Sequence, residues 1–318
     1  MKLFDSFGRH IYYLRVSVTD RCNLRCIYCM PPEGVPWIPH NEILSYEEIS
    51  IIVQLAAELG FTKIRLTGGE PLVRRDLPKL IRMLWQIKGI EEISLTTNGT
   101  LLKKHAFELR KAGLKRVNIS LDTLRTERYG YITRLGSLKD ILDGIEAARV
   151  AGLSTRINIV VMRGINDDEV LDFARLTYQG WNVRFIELMP FTQAAEFVPA
   201  EELQQQIESL GSLKPCSLSG NGPASYYCLP GAQGTIGFIT PVSKPVCSRC
   251  NRMRLTSDGQ FHSCLLSDTG IDLKGPMRND ASPQEVKRLI LKAVSSKPEK
   301  HHLLEGVYPK QKMSQIGG

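Results

Sequence analysis

A chain of 318 residues with 42% hydrophobic and 23% charged residues removes about three quarters of its unfolded surface from water on folding, which excludes a disordered chain and a need for disulfide staples. Its 41 Lys+Arg exceed its 33 Asp+Glu, a formal net charge of +8, and that balance points to an anionic partner: nucleic acid, phosphate or a charged small molecule. No apolar run approaches the ~18 residues that span a bilayer and MKLFDSFGRH lacks an apolar signal core, so the chain reads as cytoplasmic with no membrane partner.

Alternation of apolar and polar residues predicts strands over 12–19, 63–67, 92–97, 116–121, 154–161 and 183–188. Helical patterns lie between them over 45–59, 76–86, 103–112, 137–151 and 167–178. Ser45 followed by Glu48 reads as a capping box, and Gly60, Gly113 and Gly152 stand where helices stop. Six strands alternating with helices imply parallel pairing through right-handed crossovers. The count is short of a closed barrel's eight, so the fold class is α/β, a partial (β/α)6 TIM-type barrel over 1–225. Beyond it, 234–240 and 253–261 read as antiparallel strands, the second with an Asp258-Gly259 turn, followed by a helix over 282–295. Residues 226–318 are therefore expected to form a C-terminal extension with a short antiparallel sheet.

The period of two places Arg15, Ser17 and Thr19 on one strand face, and likewise Arg65 with Thr67, Ser94 with Thr96, Asn118 with Ser120, and Arg156 with Asn158. A solvated edge explains one polar face, not five. These residues are expected to line a lumen suited to an anion.

Six of the eight cysteines form two triads, Cys22, Cys26, Cys29 and Cys247, Cys250, Cys264. Cys216 and Cys228 are left as ordinary thiols without a role. Each triad is one ligand short of a closed zinc site, and His40 and His262 supply no forced fourth. Three thiolates with an open position suit an iron-sulfur cluster whose fourth iron binds something other than protein. The segment CNLRCIYC, with C-x3-C-x2-C spacing, Tyr28 before its third cysteine and a strand before it, resembles the radical S-adenosylmethionine (SAM) superfamily. A zinc knuckle is the alternative reading. The resemblance implies a [4Fe-4S] cluster on Cys22, Cys26 and Cys29 whose open iron chelates SAM and cleaves it to a 5′-deoxyadenosyl radical. TGGEP, directly after the second strand, places glycines where backbone approaches a ligand closely; in that superfamily Gly68, Gly69 and Glu70 meet the SAM amino group.

The run PVCSRCNRMRLTSDGQFHSCL, with C-x2-C-x13-C spacing, resembles the auxiliary-cluster site of the GTP 3′,8-cyclase family, which opens molybdenum cofactor biosynthesis. TTNG, NISLDT, RGIND, FIELMP and the terminal MSQIGG extend the likeness over nearly the whole chain. It implies a second [4Fe-4S] cluster on Cys247, Cys250 and Cys264 facing the guanine of GTP. It also implies SAM contacts from Tyr28, Gly69, Ser120 and Met189, and GTP contacts from Arg15, Arg65, Thr96, Arg252, Met253 and Arg254. Arg156, also implied to contact GTP, stands where relatives often carry Lys; it keeps the charge but is a fork rather than a point donor, which alters the phosphate geometry. The Gly317-Gly318 tail is implied to reach the active site. The implied reaction takes hydrogen from ribose C3′ and joins that carbon to guanine C8. The implied partners are GTP, a reductase or flavodoxin/ferredoxin-type electron donor, and a downstream cyclic pyranopterin monophosphate synthase, with a homodimer an open alternative to a monomer. A radical SAM peptide- or RNA-modifying enzyme is the nearest competitor, disfavoured by Arg252, Arg254 and the double glycine. A zinc-stabilised nucleic-acid module would expose basic residues among aromatics; the lumen arginines and an aromatic content of 7% argue for no nucleic acid.

Overall fold

The computed structural model describes residues 2–191, 195–218, 222–301, 303 and 313–317. β1 (Tyr13–Ser17), β2 (Lys63–Thr67), β3 (Glu92–Thr97), β4 (Arg116–Ser120), β5 (Ser154–Val161) and β6 (Val183–Glu187) pair in chain order, all parallel. The connecting helices are α1 (Tyr46–Leu59), α2 (Leu77–Trp85), α3 (Leu102–Lys111), α4 (Thr126–Thr133), α5 (Leu138–Val150) and α6 (Val170–Arg175). The capping box at α1 forms: Ser45 Oγ accepts from the Glu48 N–H at 3.0 Å, and the Glu48 carboxylate accepts from the Ser45 N–H at 2.7 Å. Gly60, at φ +111°, then ends the helix in a conformation costly for any residue with a Cβ.

Strand alternation divides the sheet into two faces. Leu14, Val16, Ile64, Leu66, Ile93, Leu95, Val117, Ile119, Ile157 and Ile159 are buried in one apolar core with the helices. Each such side chain contributes about 1.5–3 kcal/mol through burial. The intervening polar residues are thereby turned to the other face. Helix α4 escaped the pattern reading because TERYGYIT carries a Gly and little apolar periodicity. The helix expected over 167–178 is a short α6 between two 3-10 turns, Asp167–Glu169 and Leu176–Gln179.

The C-terminal part departs from expectation. After α7 (Ala200–Ile207) come β7 (Lys214–Pro215), β8 (Ser225–Cys228), β9 (Ile236–Ile239), β10 (Arg252–Leu255), β11 (Gln260–His262) and β12 (Gly270–Asp272). They build no sheet of their own. β9 pairs parallel with β6, and β10 pairs parallel with β1, so the order is β12-β11-β10-β1-β2-β3-β4-β5-β6-β9-β8-β7. Only the outer pairings, β10 with β11, β11 with β12, β9 with β8 and β8 with β7, are antiparallel. The boundary expected at 225/226 falls inside β8, and both edges of the partial barrel are completed by residues placed beyond it. The sheet does not close. The Asp258-Gly259 turn joins β10 to β11 with Gly259 at φ +90°. Cys216 and Cys228, expected as separate thiols, are disulfide-bonded across the β7–β8 hairpin with Cα atoms 6.0 Å apart. The hairpin pairing, which joins Lys214 to Cys228 and Pro215 to Tyr227, brings the two residues together. The chain then runs through α8 (Lys274–Arg278) and α9 (Pro283–Ser295) to α10 (Met313–Ile316). Among the described residues no helix is long and apolar enough to cross a membrane.

Candidate active site

Parallel register converts the polar strand faces into rows. Arg254, Arg15, Arg65 and Ser94 stand side by side across β10, β1, β2 and β3. Thr96, Asn118 and Arg156 form a second row, and Ser120, Asn158 and Arg184 a third. Of these residues Arg254, Arg15, Arg65, Thr96, Ser120, Asn158 and Arg184 line a cavity of about 330 Å³, within the range of small-molecule sites. All six cysteines of the two triads line it, with Tyr28, Gly68, Gly69, Thr96, Ser120 and Met189. Arg15, Arg65, Arg184, Arg252, Arg254 and Lys297 also line it, and among the described residues no carboxylate does.

Four of those cations, Arg15, Arg65, Arg184 and Arg254, are held in an unfavourable state. Burial, together with neighbouring arginines, lowers Arg15 well below the ordinary arginine range, and burial also lowers Arg65. Burial brings Arg184 down to about 9 and Arg254 to about 10. An entering anion relieves both the desolvation and the mutual repulsion. Thr96 Oγ1, Asn158 Oδ1 and Arg184 Nε are buried without a hydrogen-bond partner among the described residues, which marks the wall as one shaped for a polar guest. Arg184 was not anticipated, although the rule that selected Arg156 and Asn158 applies to it: in VRFIE, Arg184 and Ile186 share the inward face. It donates to Asn118 Oδ1 at 2.6 Å.

The first triad follows β1. Cys22 Sγ accepts from the Leu24 N–H at 3.4 Å, and Asn98 Nδ2 approaches it at 3.9 Å. Burial pushes the Cys22 thiol up to about 11, Cys29 to about 12 and Cys26 well above the usual thiol range. A bound metal reverses that balance by stabilising the thiolates. At Cys250 burial also opposes ionisation, but the Arg252 and Lys297 cations outweigh it and bring the thiol to about 6. No three His, Cys, Asp or Glu side chains among the described residues converge on a point the size of one ion. All six cysteines line the cavity, and three thiolates with an open position are what an iron-sulfur cluster with a non-protein ligand uses. The donor set fits two clusters.

The glycines of TGGEP line the cavity and also permit a close backbone approach within the protein. A Cβ on Gly68 would lie 2.5 Å from the Thr19 carbonyl oxygen, and one on Gly69 would lie 2.4 Å from that of Arg21. The turn is thus pressed against the backbone leading to Cys22, where the Gly69 N–H donates to Thr19 O at 2.7 Å and the Glu70 N–H to Arg21 O at 2.8 Å. Glu70 does not line the cavity. Its carboxylate accepts from Thr97 Oγ1 and the Asn98 N–H, both at 2.7 Å, and from the Leu72 N–H at 3.0 Å, while burial raises it to about 7. It ties the glycine turn to the TTNG loop. Asp122 has a comparable task, accepting from Tyr28 Oη and the Val160 N–H, both at 2.8 Å. Arg156 is buried without lining the cavity, and the Met253 side chain belongs to the apolar core.

The tail enters the site. Met313 and Ser314 line the cavity, and Arg254 Nη1 donates to the Gly317 carbonyl. Gly317 stands at φ +77°, where a Cβ would lie 2.6 Å from Thr67 Oγ1 and 3.0 Å from Ser17 Cβ. Gly318 lies outside the described residues.

An open parallel sheet with a C-x3-C-x2-C loop directly after β1, opening on a cavity, defines a radical SAM protein. Residues 16–177 match the radical SAM superfamily. Among solved structures the fold is similar to anSMEcpe with bound AdoMet (TM-score 0.60, 14% identity, 94% of this chain and 80% of that one). It is also similar to Streptococcus suis SuiB bound to S-adenosylmethionine (TM-score 0.60, 14% identity, 84% of this chain), of which it spans 64%. Residues 181–303 match the Molybdenum Cofactor Synthesis C family. The chain is 52% identical to the GTP 3′,8-cyclases of Moorella thermoacetica and Pelotomaculum thermopropionicum, with 99% of each chain covered. It belongs to the GTP 3′,8-cyclase family.

Proposed function

We propose that this chain converts GTP to (8S)-3′,8-cyclo-7,8-dihydroguanosine 5′-triphosphate, the first committed step of molybdenum cofactor biosynthesis. The observation that carries this reading is a cavity flanked by two cysteine triads and walled by six cationic side chains with no described carboxylate. A nucleoside triphosphate carries about four negative charges, which arginine forks grip bidentately.

Cys22, Cys26 and Cys29 would hold the cluster that binds SAM, with Gly68 and Gly69 at the SAM amino group and Tyr28, Ser120 and Met189 as further SAM contacts. Cys247, Cys250 and Cys264 would hold the second. Bound cluster and SAM supply a carbon radical able to remove hydrogen from an unactivated C–H bond. This chain's residues do the remainder. The Arg254, Arg15 and Arg65 row, with Arg184 and Arg252, anchors and orients the triphosphate. Thr96 and Asn158 offer polar atoms to the ribose and base. The apolar wall of Val160, Ile186, Ile239 and Leu265 keeps water away from the reacting carbon, so that positioning rather than acid-base chemistry sets the outcome. Gly317 packs against Ser17 and Thr67 on the β1–β2 side of the cavity, where the tail would help enclose the substrate. In the cell the reading places the chain in the cytoplasm with a reductase or a flavodoxin- or ferredoxin-type electron donor, and a cyclic pyranopterin monophosphate synthase as consumer of its product.

The test is anaerobic reconstitution with iron, sulfide, dithionite, SAM and GTP. About eight irons per chain are expected, with 5′-deoxyadenosine carrying hydrogen from C3′ and a cyclised nucleotide. SAM cleavage without a GTP-dependent product overturns the substrate, and zinc without sulfide overturns the reading altogether.

A further inference from the structure

The segments that carry the second triad come from three places: the turn Cys247–Arg249, the entrance to β10, and the residues just after β11. Two buried cations lace them together. Arg9, 7% exposed, is fixed by Asp5, whose Oδ2 accepts from Nε at 2.6 Å. Its Nη1 donates to the carbonyl oxygens of Cys247 and Glu299, both at 2.9 Å, and its Nη2 to that of Pro298 at 2.8 Å. One step before Pro298, Lys297 is 3% exposed. Its Nζ donates to the carbonyl of Arg252 at 2.8 Å and to that of Ser263, the neighbour of Cys264. Lys297 lines the cavity beside all three cysteines of this triad. Burial lowers its ammonium, while the Cys250 and Cys264 thiolates act in the opposite sense. A lysine is seldom buried this deeply without a specific partner, and the only carboxylate in the brace, Asp5, is occupied by Arg9.

We propose that Lys297 is the positioning residue of the second cluster. Its ammonium clamps the Arg252 and Ser263 carbonyls so that Cys250 and Cys264 face one site, and its fixed positive charge favours the reduced form of whatever those thiolates hold. This rests on the reading of Cys247, Cys250 and Cys264 as cluster ligands. Net charge and hydrogen bonding around the sulfurs are the terms that set such a potential, and a cation within a water-poor wall acts with little screening.

The experiment uses the full chain, reconstituted anaerobically with iron and sulfide, as wild type and as Lys297→Met and Lys297→Arg. Iron is counted in each. The midpoint potential of the second cluster is then read by mediated titration and electron paramagnetic resonance in a Cys22→Ser, Cys26→Ser, Cys29→Ser background, where only that cluster contributes. Lys297→Met is expected to lower the reduced-to-oxidised ratio at a fixed potential at least tenfold, a shift of about 59 mV for one electron, and Lys297→Arg to restore most of it. If Lys297→Met loses the second cluster's iron instead, restoration of that iron by Lys297→Arg supports the clamp, and failure to restore it overturns the proposal. Full iron with an unchanged potential in Lys297→Met overturns the proposal alone. A wild-type chain that loads only four irons removes the second cluster and the proposal with it.

Discussion

Replacing Arg184 with Met separates stability from binding. In the protein without nucleotide, burial brings Arg184 from the ordinary 12.5 to about 9, an electrostatic cost of about 5 kcal/mol at roughly 1.4 kcal/mol per pH unit. That cost is present throughout the neutral range and is relieved only as pH rises through the interval between about 9 and 12.5, where the folded state binds fewer protons than the unfolded one. Removing the cation also removes its bond to Asn118 Oδ1, worth about 1–3 kcal/mol. The balance is an empty protein more stable by about 2–4 kcal/mol. With an unfolding entropy near 2.1 cal/mol/K per residue over 318 residues, calorimetry should show Tm higher by about 3–6 °C. Loss of a charged hydrogen bond, about 1.5–3 kcal/mol, should weaken GTP roughly 10–150-fold, with guanosine unaffected. A lower Tm together with unchanged GTP affinity would refute the reasoning, because Arg184 would then be a structural residue satisfied by the protein alone.

Gly317→Ala forces a Cβ into φ +77° and against Thr67 and Ser17, which costs about 2–4 kcal/mol in tail docking; SAM cleavage should persist while cyclised product falls, and equal product yields would count against the docked tail. Cys247→Ser should keep the first cluster's iron and lose turnover, as seen by iron analysis and product assay. Glu187 accepts from the Val242 and Ser243 N–H groups at 3.0 and 2.9 Å, just ahead of Cys247, so Glu187→Ala should lower second-cluster iron content without changing the first. Burial raises Glu70 from 4.5 to about 7 and Asp122 from 3.8 to about 6, so the folded state binds more protons than the unfolded one and these groups' contribution to stability falls as pH rises from about 4 to 7. Glu70→Gln should flatten that part of the Tm profile while lowering Tm, since its amide would face the Asn98 N–H; an unchanged slope would show that Glu70 does not titrate there.

The inward face of the sheet was legible because a period of two needs no knowledge of neighbours: Arg15, Arg65, Thr96 and Ser120 follow from counting alone, and Arg184 would have followed from the same count on β6. The cysteine triads were legible from spacing. What lay beyond reach depended on partners far away in sequence. The parallel pairing of β9 with β6 and β10 with β1 is set by which edges are open, and four-residue strands carry no mark of it. Glu70 stands in the motif that signals a ligand, yet its carboxylate is consumed by Thr97, Asn98 and Leu72, a matter of tertiary approach. The Cys216–Cys228 bond likewise depends on the β7–β8 pairing that brings the two residues near each other, which their spacing in the sequence does not reveal.

The placement of β10 against β1 also orders events in time. During synthesis β1 to β6 can assemble as each emerges, since every strand pairs with the one made just before it. The far side of β1 must wait until nearly the whole chain has left the ribosome, because its partner is among the last strands made. Until then the Cys22–Cys29 loop stands beside an uncovered edge of β1. The late return of β10 brings the second triad into place in the same movement. Assembly thus has a built-in sequence, in which the loop of the first triad is made long before the enclosure that later covers it.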